Sequence, residues 1–260
     1  MAILGMIAAV FMGAVLGLVG GGGSILTVPI LVYILGISPV HATAYSLFVV
    51  GLSALVGSVD YIRRKLVDFK VGAVFVVPAF IGVYSVRAFL MPAIPGTMDL
   101  GFMILKKSAL VMGVFSVIMI LASYSMIKGR KNTKTEKKSL NYALVTLEGL
   151  VVGSITGFVG AGGGFLIIPA LVVLAGLEIK VAVGTSLLII ATKSLLGFIG
   201  DVQVMNDIDW NLLIQFSGFS IVGIFIGSYF SRKISSEKLK PGFGWFVLVM
   251  GIVVLARQIL

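Results

Sequence analysis

A glycine-rich break in an apolar segment occurs twice in this chain, at Gly20 and again 140 residues later at Gly160. The sequence GLVGGGGSILTVP, within residues 13–47, returns as GFVGAGGGFLIIP within residues 153–187. The register is kept at glycines, leucines and prolines, including Gly17/Gly157, Leu26/Leu166 and Pro29/Pro169. Because glycine is costly inside a helix, each copy predicts a helix broken at the same place. Broken helices in corresponding positions of two halves point to the binding site of a membrane transporter.

The composition predicts an all-α polytopic membrane protein. Hydrophobic residues make up 59% of the 260 residues and charged residues only 12%, and a soluble fold of this length cannot bury so much apolar sequence. Five apolar segments are predicted in each half: about 2–19, 24–36, 41–60, 69–90 and 103–127, then 140–159, 164–176, 181–200, 210–231 and 242–259.

The chain divides into two membrane repeats joined by a basic linker. The first repeat is 1–127, the linker is 128–139 (KGRKNTKTEKKS), and the second repeat is 140–260. Segments 24–36 and 164–176 span only about 20 Å as helices at 1.5 Å per residue, too short to cross a bilayer comfortably. We therefore predict that they are broken or re-entrant short helices, with full crossing left open.

Charges in the loops predict that the two repeats have inverted topology. Residues 63–65 are all basic, whereas the equivalent loop of the second half carries Asp201, Asp207 and Asp209 without Lys or Arg. Basic loops stay in the cytoplasm, so the two equivalent loops should lie on opposite sides. The linker is then cytoplasmic, and both termini are predicted on the outer side of the cell membrane.

The glycine breaks are the predicted binding site for a small anion. Backbone groups freed by a break must be buried in protein or line a cavity, and the first amides of a new helix favour anions. Ser24 is placed as an N-cap of the first short helix. The alternative is close helix packing, which we favour for the glycines at positions 13, 17, 153 and 157. The substrate-binding candidates in the breaks are Gly20, Gly21, Gly22, Gly23 and Ser24, with Gly160, Gly162, Gly163 and Gly164.

Hydroxyl side chains follow each break and could complete an anion site. Ser46 pairs with Ser186 in the repeat, and Thr185 precedes the latter. The same hydroxyls could equally bond to carbonyls of their own helix.

Charged residues inside apolar segments are expensive, and they are usually paired or line a pathway. Lys193 is the sharper candidate, as an anion-binding cation, and its counterpart in the first half is Ser53. Glu148 could pair with Lys193 or carry a coupling proton, and Lys193 could instead snorkel to the interface. Arg87, near the end of its segment, is expected to snorkel.

The chain resembles the TauE/SafE family of sulfite exporters. The resemblance rests on the twofold glycine-rich hairpin followed by proline, on AVGTSLLII at 182–190 with the weaker ATAYSLFVV at 42–50, and on VDFK and IDWN opening the next helix. It implies a multi-pass inner-membrane permease for sulfite, sulfonates or related organosulfur acids. The family often carries histidine before the loop of each half, which this chain lacks there.

The function predicted is secondary transport, with export the favoured direction, of a small anion by alternating access at a midplane site. An anion channel or a membrane scaffold is the alternative. No P-loop occurs, there is no cysteine and a single histidine, so we expect no enzyme, no cofactor and no metal site. The net charge of +10 is assigned to loops and not to nucleic-acid binding. The coupling ion, a proton or another, and the oligomeric state stay open.

Overall fold

The computed structural model describes residues 2–99, 104–128, 142–173, 175–231 and 236–259. Most of the predicted linker, from 129 to 139, lies outside these residues, as do residues 232–235. Within the described residues, seven helical stretches are long and apolar enough to cross a membrane, and Ala143–Val159 is a shorter apolar helix. The prediction of an all-α polytopic membrane protein is confirmed.

The helices follow the predicted order, with differences at their ends. In the first half they are α1 (Ala2–Val19), a 3-10 segment (Gly20–Leu26), α2 (Thr27–Pro29), a π segment (Ile30–Ile34), α3 (Pro39–Arg63), α4 (Phe69–Ser85), a second π segment (Val86–Leu90) and α5 (Met91–Ala93). Two short strands follow, β1 (Thr97–Asp99) and β2 (Ile104–Lys106). The remaining helices are α6 (Lys107–Lys128), α7 (Tyr142–Val159), α8 (Gly164–Val173), α9 (Ile179–Val204), α10 (Trp210–Ser231) and α11 (Ser236–Ile259).

The β-hairpin corrects the predicted fifth segment. Residues 104–106 pair antiparallel with 97–99, with Met98 opposite Leu105, so α6 begins at Lys107 and not at 103. The side chain of Lys107 donates a hydrogen bond to the carbonyl of Met91. This contact ties the start of α6 to the start of α5.

Side-chain caps start the long helices where the sequence changes from polar to apolar. The hydroxyl of Ser38 accepts a hydrogen bond from the amide of His41 at the start of α3, where Pro39 occupies the first turn. The carboxylate of Asp68 accepts from the amide of Val71 at 3.0 Å, and Asp209 plays the same part for α10. The acidic residue of VDFK and of IDWN is therefore an N-cap.

The apolar stretch from α1 to the first π segment folds back on itself. A Cβ atom added at Gly23 would meet the backbone of Leu16, and one added at Gly5 would meet the side chain of Leu35. These contacts pair an early residue with a late one, so the chain reverses near Gly20, where φ is +72°. Positive φ is readily adopted only by glycine. Residues 20–35 therefore return along α1 as a re-entrant piece.

The second half shows the same reversal. The break at Gly160, where φ is +73°, separates α7 from α8, and a Cβ atom at Gly163 would meet the side chain of Thr156. Thr156 is the repeat partner of Leu16, and Gly163 is that of Gly23. The repeat register read from the sequence therefore holds between packed residues.

The two halves are interlocked. α1 packs along α10, and α7 packs along α4. Gly13 and Gly17 lie against the backbone of α10, whereas Gly153 and Gly157 lie against that of α4. The predicted packing role of these four glycines is confirmed, because a Cβ atom at each would overlap main-chain atoms.

The centre of the bundle is the pair α3 and α9, which cross antiparallel. The ring centroids of Phe48 and Phe198 are 5.3 Å apart. A Cβ atom added at Gly51 would meet the side chain of Leu195, and a Cβ atom added at Gly184 would meet the side chain of Tyr61. In each of these pairs the two residue numbers add up to nearly the same value, as they do when two helices pack antiparallel. Ser53 and Lys193, which are repeat partners, satisfy the same sum.

Candidate functional site

The two glycine breaks touch one another in the middle of the bundle. A Cβ atom at Gly21 would overlap the Cα atom of Gly164, and one at Gly164 would overlap the Cα of Gly21. A Cβ atom at Gly162 would lie 3.2 Å from the Cβ of Ser24. All five glycines and the serine nearest the contact are buried: Gly20, Gly21, Gly162, Gly163, Gly164 and Ser24. Two elements that lie 140 residues apart in the sequence are therefore in direct contact.

Each break also packs on the central helix of the opposite half. Gly160 lies against the backbone of Thr43 on α3, and Gly20 lies against the side chain of Val183 on α9. Further along the same faces, Gly162 meets Val50 and Ile190. The central helices thus hold both breaks in place.

Ser24 and Ser46 differ in how their hydroxyls are used. The hydroxyl of Ser24 donates to the carbonyl of Gly21 at 2.7 Å, so Ser24 stabilises the 3-10 turn and does not cap a helix as predicted. The hydroxyl of Ser46 is buried and has no hydrogen-bond partner in the described part of the chain. Ser46 lies three residues from Thr43 and four from Val50, on the face of α3 that contacts the second break.

Lys193 is fully buried beside the second break. Its ammonium donates a hydrogen bond of 2.8 Å to the hydroxyl of Thr156, and the methyl group of Thr156 is the nearest neighbour of Gly163. Lys193 lies three residues from Ile190, which contacts both Gly21 and Gly162. The prediction that it snorkels to the interface is wrong, because none of its surface is exposed.

Glu148 does not pair with Lys193. Thr156, the partner of Lys193, is eight residues further along α7, a rise of about 12 Å. The ion pairs between described residues are His41–Asp207, Arg64–Asp60 and Arg87–Asp201. The ion-pair alternative is therefore wrong here, and a coupling role for the half-buried Glu148 stays a prediction.

The hydroxyls of Thr185 and Ser186 are engaged with the backbone. Ser186 donates to the carbonyl of Val183 at 2.8 Å, and Thr185 accepts from the amide of Asp68 at 2.9 Å. Both lie near the start of α9, seven or eight residues from Lys193, which is about 10–12 Å along the helix. Ser186 lies three residues from Val183 and four from Ile190, on the face of α9 that contacts the breaks, whereas Thr185 lies against the start of α4. The role of both residues as anion ligands stays a prediction.

A second set of buried polar groups lies at the end of the bundle where α3 begins and α9 ends, which we call the Asp207 end (residues 38–45, 86–91 and 200–209). Arg87 is 1% exposed, and its Nη1 donates to Asp201 at 3.3 Å and to Thr43 at 3.2 Å. The expectation that Arg87 snorkels is wrong. Asp201, assigned to a loop from sequence, lies inside α9 and is 5% exposed.

At the surface of the same end, the ring of His41 bonds the carboxylate of Asp207 at 3.1 Å. The hydrogen bond from His41 lowers the pKa of Asp207, and the charge of the ring acts in the same direction. The phenol of Tyr45 accepts from the amide of Asp209 at 2.7 Å. These contacts fasten the loop after α9 to the start of α3.

Sequence reasoning missed Thr156 and the pair Arg87–Asp201. Thr156 could have been noticed as the polar partner of the apolar Leu16 in an otherwise matched register. Asp201 lay at the edge of an apolar run next to further acidic residues, so nothing in the local pattern separated it from the loop.

Comparison with known proteins gives a consistent result. A family model described as Sulfite exporter TauE/SafE matches residues 5–254. A "Probable membrane transporter protein" of Xylella fastidiosa (strain 9a5c) is 28% identical over 95% of this chain and 92% of its own length. From Bacillus subtilis (strain 168), the "Probable membrane transporter protein YjnA" is 30% identical over 93% of this chain and 95% of its own length. The "Probable membrane transporter protein YunE" of the same organism is 28% identical over 97% of this chain and 93% of its own length. No solved structure matches.

Proposed function

Since the chain belongs to the TauE/SafE family of membrane transporters, we propose that it is a secondary transporter of a small anion and binds that anion where the two glycine breaks meet. The observation that carries this proposal is the contact of Gly21 with Gly164 at the crossing of α3 and α9. Transporters bind substrate where discontinuous helices of two repeats face each other near the midplane. A role as an enzyme has no comparable support.

The charge beside the breaks favours an anion as substrate. Lys193 brings a buried ammonium to the second break through Thr156. The carbonyl of Gly163 accepts from the amides of Leu166 and Ile167 at 2.9 and 3.0 Å, so the helical bonding of α8 starts at the break. The amides at the start of a helix lack intrahelical partners and carry the positive end of the dipole. Sulfite and organosulfur or organic acids present the matching oxygens.

Inverted repeats are part of the same proposal. In it, residues 1–127 and 140–260 are two repeats of opposite orientation, and 128–139 is a cytoplasmic linker. The antiparallel crossing of the repeat partners α3 and α9 supports this arrangement. The packing of each half's first helix on the other half, α1 on α10 and α7 on α4, supports it as well. Rocking one interlocked unit against the other would expose the breaks to each side in turn.

The direction of transport is proposed as export, with the termini outside and the linker in the cytoplasm. This follows the name of the matched family, Sulfite exporter TauE/SafE, and the basic residues of the loops. A channel or a scaffold is the competing function, and flux measurements separate it from a carrier.

The experiment uses purified protein in liposomes with radiolabelled sulfite, against protein-free liposomes. A carrier gives flux that saturates with sulfite concentration and shows counterflow, and an ion gradient drives it uphill. Flux that rises linearly and ignores an imposed gradient would support the channel. Absence of flux for sulfite, methanesulfonate, thiosulfate and small carboxylates would refute the proposal.

A further inference from the structure

Arg87 has more hydrogen-bond donors than its surroundings use. Its Nη1 is engaged with Asp201 and Thr43, whereas Nε and Nη2 are buried and have no partner in the described part of the chain. A Cβ atom at Gly200 would lie 3.1 Å from the Cβ of Arg87, so α9 presses against this part of the first half. A buried donor of a charged group that is left without a partner is strongly unfavourable.

The two unpartnered nitrogens are the pair that binds oxyanions best. Nε and Nη2 lie on one edge of the planar guanidinium, and their N–H groups point in parallel, as a fork for two oxygens of one carboxylate, sulfonate or sulfite. A lysine ammonium lacks this geometry. The unused edge of Arg87 therefore fits the same chemical class of ligand as the proposed substrate.

Asp201 carries the complementary unused atom. Its Oδ1 accepts from Arg87, whereas Oδ2 is buried and receives no hydrogen bond in the described residues. Arg87 and Asp201 together are neutral, so an anion bound to the fork would leave one uncompensated negative charge in a buried place. Such a charge is strongly unfavourable. If Asp201 bound one proton, the excess negative charge would be neutralised, and the unpartnered Oδ2 would be the atom that carries the proton.

We propose that Arg87 and Asp201 form a second site in series with the glycine breaks, where Arg87 binds a singly charged oxyanion and Asp201 takes up one proton with it. This inference rests on the proposed function and names its coupling ion. Asp201 is eight residues beyond Lys193 on α9, about 12 Å along the helix. The second site thus lies within the Asp207 end, on one side of the meeting point of the breaks.

The other charged groups near this site have partners of their own. His41 on α3 and Asp207 in the loop after α9 bond each other, and Lys107 at the start of α6 donates to the carbonyl of Met91. On α7, Glu148 lies next to Gly149, which meets Pro78. Pro78 is nine residues from Arg87, about 13 Å along the helix. Asp201 is therefore the carboxylate in contact with the guanidinium of Arg87, through Nη1, and it is the one beside the fork.

The experiment compares proton movement with anion movement in liposomes that contain the protein. Methanesulfonate is the probe, because its charge does not change with pH, and sulfite is the second probe. Uptake is followed with radiolabel, and protons are followed with a pH dye inside the liposomes. The variants are Asp201→Asn and Arg87→Lys. The control is Asp60→Asn, which removes the carboxylate of another aspartate–arginine pair. Glu148→Gln tests the competing candidate for the coupling carboxylate.

The expected result for the wild type is one proton moved per methanesulfonate, with no effect of membrane potential. Asp201→Asn should keep anion exchange but lose accumulation driven by a pH gradient. The control Asp60→Asn should keep that accumulation, and Glu148→Gln should keep it too if Asp201 is the coupling carboxylate. Arg87→Lys should raise the half-saturating concentration about tenfold, because a point charge replaces the fork. If Asp201→Asn elutes as aggregate, the wild-type ratio and Arg87→Lys decide the question.

Other outcomes would overturn the inference. Wild-type anion transport without proton movement refutes this site while leaving the proposed function intact. Accumulation that survives Asp201→Asn, or is lost in Glu148→Gln instead, refutes the assignment to Asp201. An unchanged half-saturating concentration in Arg87→Lys refutes the fork. Failure of the wild type to move any of the anions refutes the proposed function itself, and this inference with it.

Discussion

At the scale of single residues, the most informative feature is a buried cation whose hydrogen-bond partner among the described residues is a hydroxyl. Lys193 loses its water on burial and receives in exchange one hydrogen bond to Thr156. Burying a charge without an opposite charge is expensive, so the position is costly for stability alone. In the proposed transport of an anion, a substrate beside Lys193 would offset that cost and would account for a lysine where the first repeat has Ser53.

Replacing Lys193 tests this explanation. Lys193→Ala should weaken binding of the transported anion by about tenfold or more, because a charge-assisted hydrogen bond contributes about 1.5–3 kcal/mol. It should leave the protein folded, since no carboxylate loses its partner. Anion affinity is measured by thermal shift on the detergent-purified protein. Lys180→Ala, on the exposed start of the same helix, is the control, and equal affinity in the two variants would contradict the assignment.

The pair of His41 and Asp207 gives a pH-dependent prediction. The hydrogen bond from His41 lowers the pKa of Asp207 in the folded protein. A carboxyl with a lowered pKa stabilises the fold above its ordinary pKa of about 4, and this contribution is lost as the pH falls through the lowered value. Asp207→Asn should therefore reduce the Tm slightly at about pH 5 and have no effect near pH 2. The effect should be small because Asp207 is exposed, and a difference independent of pH would contradict this origin.

At the scale of elements, the glycine breaks are equivalent in sequence but not in packing. A Cβ atom at Gly162 would lie 2.5 Å from Val50 and 3.0 Å from Ile190. At Gly22 the nearest atoms are Val19 at 3.1 Å and the flexible end of Met126 at 3.8 Å. The second break is enclosed by both central helices, whereas the first has room at its corresponding position.

This asymmetry predicts different responses to one added methyl group. Gly162→Ala should abolish transport or lower it strongly, because the breaks would be forced apart, and Gly22→Ala should retain most of the wild-type rate. Leucine should abolish transport at Gly162 and lower it at Gly22 as well. Initial rates in liposomes, normalised to folded protein, give the comparison. Wild-type rates in Gly162→Ala would remove the glycine breaks from the transport path.

At the scale of the whole molecule, the two ends of α3 define the two faces of the bundle. His41 at its start contacts Asp207, and Arg63 is its last residue. The helix has 25 residues, a rise of about 37 Å, which exceeds the hydrocarbon thickness of a bilayer. The loop after α9 and the loop after α3 therefore lie at opposite ends.

Cysteine labelling tests which end faces the cytoplasm. The chain has no cysteine, so single cysteines introduced at 203–208 or at 63–65 are labelled without background. We expect the first group to react with an impermeant reagent from outside intact cells and the second only after permeabilisation. Labelling of both groups from the same side would refute the inverted topology, whereas exchanged sides would reverse only the orientation.

Much of the architecture could be predicted from the sequence, because it depends on local patterns. Apolar runs located the long helices, polar caps such as Asp68 located their starts, and the repeated glycines located both reversals. The β-hairpin before α6 was not predicted, because two strands of three residues each are too short for their alternating pattern to be told apart from an apolar helix. Of the candidate residues, the structure brings together the glycines of both breaks, Ser24 and Lys193, with Ser46 and Ser186 on the helix faces that contact the breaks, whereas Thr185 bonds the start of α4.

By itself the sequence determined that this chain enters a membrane, that it repeats one design twice, and that each copy breaks at a glycine. Only the tertiary structure decided that Gly21 meets Gly164, that Lys193 bonds Thr156 and not Glu148, and that Arg87 is buried with Asp201. The physical reason is distance along the chain. Hydropathy and capping act over a few residues, whereas these contacts join separate helices and depend on how closely small residues let the helices approach.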